Sequence, residues 1–174
     1  MAERLPSGHF DAIAVAPLPG ADLPLFLTPL RAGEPEHLGT AFAAIAPWAS
    51  YPYSPAALAS YFAAIEPDAP RYAIRAGETL IGALGARMNW LRGPYIQFLG
   101  LLPDCQSQRA GSRVLNWFET AARENSQRNL WVAASDTNTG ALRFYRRHGF
   151  EAVAGLDGLV TDGRTDILLR KRLS

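Results

Sequence analysis

Cysteine is almost missing from this chain: of 174 residues, Cys105 alone is one. No intrachain disulfide can form, which fits a reducing compartment. No run of 18 apolar residues occurs, so no segment suits a membrane-spanning helix. The opening Met1-Ala2-Glu3-Arg4 lacks the basic start and apolar core of a secretion signal. Charge of one sign is also lacking, since 17 Lys and Arg against 16 Asp and Glu leave a net charge of +1. That balance gives no electrostatic case for a nucleic-acid partner. The three histidines, His9, His37 and His148, are scattered without metal-ligand spacing, so no metal is expected. The expectation is a cytoplasmic protein with no membrane, nucleic-acid or metal partner, a homodimer being left open.

What is present suits one domain with a sizeable core. Residues 1–24 hold four prolines and two glycines without a sustained period and read as an N-terminal extension to a domain spanning 25–174. Leu25-Phe26-Leu27 reads as a strand. The acids and proline of Gly33-Glu34-Pro35-Glu36 then favour a helix reaching to about Ala46. After a proline-bracketed aromatic loop, Trp48 to Pro55, a second helix is expected to about Ile65. Tyr72-Ala73-Ile74-Arg75 and Thr79 to Arg87 form a hairpin pattern, and the apolar run Tyr95 to Leu102 reads as a central strand. Val114, Leu115, Phe118, Ala121 and Ala122 recur at helical spacing, with Glu119 and Arg123 four apart on the polar side. A strand at Asn129 to Ala134 precedes a helix ending at Gly149. Asp162-Gly163, between Leu159-Val160-Thr161 and Asp166-Ile167-Leu168-Leu169, reads as the turn of a final hairpin.

Two segments carry the functional signal. Pro103-Asp104-Cys105-Gln106-Ser107-Gln108-Arg109-Ala110-Gly111-Ser112-Arg113 reads as a strand end, a polar turn and a helix start, a geometry that leaves backbone N–H groups pointing outward as an anion cradle. Some 25 residues on, Asn138-Thr139-Gly140-Ala141-Leu142-Arg143-Phe144-Tyr145 sets a tyrosine seven residues after an asparagine. Read singly, the first is a capped helix start, Asn138 a cap and Tyr145 a packing residue. In order, at this spacing and with a strand between them, they resemble the acyl-CoA-binding core of the GCN5-related N-acetyltransferase (GNAT) superfamily. The resemblance covers roughly residues 25–173, and the motif region is nearest the ribosomal-protein alanine acetyltransferase branch.

That resemblance implies a mixed α/β fold, with a central, mostly antiparallel sheet flanked by helices and strands splayed at the cofactor site. It implies acetyl-CoA as co-substrate, its pyrophosphate held by the turn Gln106, Ser107, Gln108, Arg109, Ala110, Gly111 and Ser112, with Arg113 a further phosphate candidate. The strand end Gly100-Leu101-Leu102 would present backbone groups to the pantetheine arm, Asn138 would contact that arm, and Tyr145 would protonate the departing thiolate. Arg109 stands where the family pattern has a glycine, which permits positive φ or close phosphate approach. It either meets a phosphate or is a solvated side chain.

The residue five before Asn138, where the branch carries a glutamate, is Ala133, and 95–102 contain none. The base is then a water chain, a carboxylate from another loop, or nothing beyond an acceptor amine reacting as its own free base; Asp136 reads rather as a helix-start residue. Tyr51, Tyr53 and Trp90 are candidates to line the acceptor cleft, with rim packing as the other reading. The implied function is acetyl transfer to the primary amine of a small molecule or peptide. A catalytically weak CoA-binding regulatory module and an interaction domain using the aromatic loop are the alternatives.

Overall fold

The computed structural model describes residues 16–18, 24–105 and 109–173. Eight strands form one sheet in the order β1-β2-β3-β4-β5-β6-β8-β7. They are β1 Ala16–Leu18, β2 Leu25–Pro29, β3 Arg71–Ala76, β4 Thr79–Trp90, β5 Gly93–Leu101, β6 Asn129–Ser135, β7 Glu151–Asp157 and β8 Thr165–Arg172. Four helices, α1 Glu34–Ala43, α2 Pro55–Ala63, α3 Ala110–Glu124 and α4 Thr139–Arg147, connect them. Every neighbouring pair is antiparallel except β5 and β6. This is the mixed, mostly antiparallel architecture expected. Ala16–Leu18, within the segment read as an extension, pairs along β2 as an edge strand.

Two cores hold the helices to the sheet. Leu38 and Phe42 of α1 pack with Leu58 and Phe62 of α2 against Ala83 and Phe98. Val114, Leu115, Phe118 and Ala122 of α3, spaced to share one helical face, pack with Ile74, Leu84, Ile96, Leu130 and Val132. Gly39 lets α1 and α2 approach closely, for a Cβ there would lie 2.5 Å from the Pro55 carbonyl oxygen. The start of α1 is fixed by Arg75, only 2% exposed, which donates to both Glu34 carboxylate oxygens at 2.6 and 2.8 Å and to Thr28 Oγ1 at 2.8 Å.

Two expectations are corrected. The first helix ends at Ala43 rather than Ala46, because Pro47 disfavours helical backbone at Ala46 and the last turn tightens through Ile45 N–H donating to the Phe42 carbonyl. The final hairpin pairs β7 with β8, not 159–161 with 166–169, and residues 158–164 form the connecting loop. The sequence hid β7 because six of its seven residues are exposed, so it lacks the apolar alternation that marks a half-buried strand.

Candidate functional site

The site lies where β5 and β6 part. Their parallel pairing is confined to Tyr95 with Trp131 and Ile96 with Val132. Beyond it β5 runs on to Leu101 laddered to β4, while β6 runs on to Ser135 laddered to β8. Among the described residues no strand ladders the edges of β5 after Ile96 and of β6 after Val132, which face the gap. Gly100 lets the aromatic rings pack directly on β5, since a Cβ would fall 2.7 Å from both Phe42 and Trp48 and 2.8 Å from Phe98.

On one side of the gap is a cavity of about 470 Å³. Gly100, Leu101, Arg109, Gly111, Ser112, Asn138 and Tyr145 line it, joined by Gly140, Phe144 and Arg147. The N-cap residue of α3, Arg109, makes no side-chain capping bond to the helix's N-terminal amides. Arg109 takes the left-handed conformation, φ 53° and ψ 16°, so the backbone retains the shape that glycine adopts most cheaply. A Cβ on Gly111 would come within 3.3 Å of the Phe144 ring, which holds the helix start close to α4. The charged residues lining this cavity, Arg109 and Arg147, are both cationic.

The other side is a cleft of about 280 Å³ lined by Tyr51, Tyr53, Tyr95, Ser135 and Asp166, with Leu159 and Val160 from the loop before β8. Trp48, Leu99, Asn138, Ala141 and Tyr145 line both cavities, so the two meet at the start and face of α4. Asn138 is also the helix cap, its Oδ1 accepting from Ala141 N–H at 3.1 Å. Tyr145 is 7% exposed, packed against Phe144 and Phe150. Burial, and then the neighbouring Tyr95, push its hydroxyl well above the usual phenol range. No described group hydrogen-bonds to that hydroxyl.

Asp166 is the one charged residue in the cleft lining and is 4% exposed. Tyr51 donates a long 3.4 Å bond to its Oδ1, while Oδ2 is buried without a partner. Burial first, then the Asp166 charge, raise the hydroxyls of Tyr51, Tyr53 and Tyr95.

Of the residues singled out from sequence, Tyr51 and Tyr53 line the cleft, but Trp90 does not. Its ring packs on Tyr95 at 5.0 Å and Trp131 at 5.3 Å, at the far end of the β4–β5 hairpin. Leu102, Ala110 and Arg113 line neither cavity: Leu102 packs beside the α1–α2 core, and Ala110 and Arg113 are buried. Gln106, Ser107 and Gln108 lie outside the described residues. Ala133 does face the cleft. Asp166 and Arg147 were missed, and Arg147 had a signal, a basic residue in the last turn of the motif helix. Among the described residues no cluster of three or more His, Cys, Asp or Glu could hold a metal ion, and no helix is long and apolar enough to cross a membrane.

Solved structures share this fold. A probable GNAT-family acetyltransferase from Chromobacterium violaceum aligns with a TM-score of 0.73 at 20% identity, over 90% of this chain and 91% of that one. An acetyltransferase from Elizabethkingia anophelis, solved with acetyl-CoA bound, aligns at 0.63 and 16%, over 88% and 100%. The ribosomal-protein-S18-alanine N-acetyltransferase of Escherichia coli aligns at 0.66 and 18%, over 86% and 94%. Likenesses this distant and this varied establish the fold and single out no branch. The sequence profile of the Acetyltransferase (GNAT) family matches residues 36–150, a span that contains the parted strands, the start of α3 and Tyr145. With that match over well more than half its length, this chain belongs to the GNAT family of acetyltransferases.

Proposed function

We propose that the protein transfers an acetyl group from acetyl-CoA to a primary amine of a small molecule or peptide. The observation that carries this reading is the pair of cavities of opposite charge, one lined by arginines and one by a carboxylate, meeting at Tyr145. The N-terminal amides of α3, with Arg109 and Arg147, suit the phosphates of CoA, and the edge of β5 about Gly100, which no described strand ladders, suits the amides of its pantetheine arm. An amine entering from the tyrosine-lined cleft attacks the thioester carbonyl. As the C–S bond breaks, Tyr145 gives its proton to the sulfur; the attacking nitrogen loses one to solvent, from which Tyr145 is reprotonated. A hydroxyl with a raised pKa is fully protonated at neutral pH and so available to donate.

The absence of a carboxylate at Ala133 favours one second reading, a CoA-binding module with weak catalysis. Calorimetric titration with acetyl-CoA, followed by free-thiol release across a panel of amines, separates the two. Binding with amine-dependent thiol release is expected. Binding without release for any amine leaves the regulatory module, and no binding refutes both.

A further inference from the structure

Asp166 does not belong to either motif, and its environment is unusual for a carboxylate. It sits on β8 in register with Ser135 of β6, so its backbone is pinned by the sheet. The side chain is nearly inaccessible, yet among the described residues no cation pairs with it. Arg164, the nearest candidate in sequence, instead donates to Ser50 Oγ at 3.0 Å and lies over the Tyr51 ring at 5.6 Å. Arg170 is turned to Asn129 and the Trp131 ring. A buried carboxylate with one oxygen unpartnered is costly unless something supplies a positive donor. The walls around it, Tyr51, Tyr53 and Tyr95, present aromatic surface and hydroxyl oxygens, both of which suit a cation. The cleft holds no cation of its own, so the complement must arrive with the ligand.

Building on the acetyl-transfer reading, we propose that Asp166 anchors a protonated amine of the acceptor that is not the amine acetylated: the acceptor is a diamine or similarly dibasic compound. Asp166 lines the cleft alone, whereas Tyr145 lines both cavities and so stands at their junction. A group set back from the reacting centre in this way holds rather than deprotonates. Carboxylates as a class are also weaker bases than alkylamines by about six pKa units, so an ammonium facing one stays an ammonium. The remote charge then fixes the acceptor's register and leaves its other nitrogen, as free base, to reach the thioester.

The test compares α,ω-diaminoalkanes of three to six carbons with the monoamines of equal length, by equilibrium binding to the full protein and by thiol release with acetyl-CoA. A diamine of optimal length should bind about tenfold to a hundredfold tighter than its monoamine, the scale of one charge-assisted contact. Asp166→Asn, checked for unchanged acetyl-CoA affinity and thermal unfolding, should erase that preference and raise the KM for the diamine. Equal binding of the two series by the wild type overturns the proposal even if the variant does not fold. A preference that survives in Asp166→Asn overturns it as well. Asp166-dependent diamine binding without thiol release would instead refute the transfer reading and leave the ammonium site standing. Thiol release from monoamines and diamines alike would do the reverse.

Discussion

The end proposed for the cofactor and the end proposed for the acceptor are built by opposite means. The cofactor end is made chiefly of backbone: the edge of β5 after Ile96 that no described strand ladders, the N-terminal amides of α3, and Gly100 and Gly111 where a Cβ would crowd neighbouring rings. Its charges are cationic. The acceptor end is made of side chains, Tyr51, Tyr53, Tyr95 and Asp166, delivered from three separate parts of the chain, and its charge is anionic. A backbone site is set by topology and tolerates sequence change. A side-chain site can be altered without touching the fold, so donor recognition should be robust and acceptor choice readily changed.

Tyr145 belongs to both ends, so altering it should have the largest effect on turnover while sparing each binding step. Tyr145→Phe keeps the ring that packs on Phe144 and Phe150. Turnover should fall about 10²- to 10³-fold with acetyl-CoA affinity little changed, the scale of a lost general acid. Single-turnover thiol release beside a calorimetric titration reads both, and an undiminished variant removes Tyr145 from the chemistry.

Gly111→Glu attacks the backbone end alone. Its Cβ crowds Phe144, and its carboxylate faces the place proposed for phosphates, so acetyl-CoA affinity should drop by about 10²-fold in a folded variant. Unchanged affinity would show that the donor does not lie at the start of α3.

Arg109→Gly should produce the smallest effect, with opposite signs on two readouts. Relief of the left-handed backbone should raise stability by about 1 kcal/mol in thermal or denaturant unfolding. Loss of the guanidinium should weaken acetyl-CoA binding several-fold, more at low salt, where an exposed charge is less screened. Tighter binding at every salt concentration would mean that the arginine obstructs the cradle.

The same division explains what could be read from sequence. The start of α3 and the face of α4 are local, so the spacing from Gly111 to Asn138 and Tyr145 picked out residues that line one cavity, and apolar periodicity carried the helices and central strands. Tyr51 and Asp166, which share a hydrogen bond, are 115 residues apart, and no local pattern joins them. Trp90 misled because an aromatic beside a turn looks the same whether it lines a cleft or, as here, stacks on Tyr95 and Trp131. The strand β7 was overlooked because it is nearly all exposed, and placing it late shifted the final hairpin.

The central claim is that these two ends meet to acetylate an amine that reacts as its own free base, with Tyr145 as the acid and no carboxylate as the base. Burial keeps the Tyr145 hydroxyl protonated throughout the working range, so it contributes no titration near neutrality. The acceptor attacks only when deprotonated, so kcat/KM should rise with pH up to the pKa of the amine and then level off. The direct measurement is kcat/KM for thiol release from acetyl-CoA against pH, with two amines of different basicity. The account predicts that the acidic limb moves to lower pH with the less basic amine, by the difference between the two amine pKa values. A limb fixed at one pH for both amines would reveal an enzyme base and contradict it, as would the absence of thiol release at any pH.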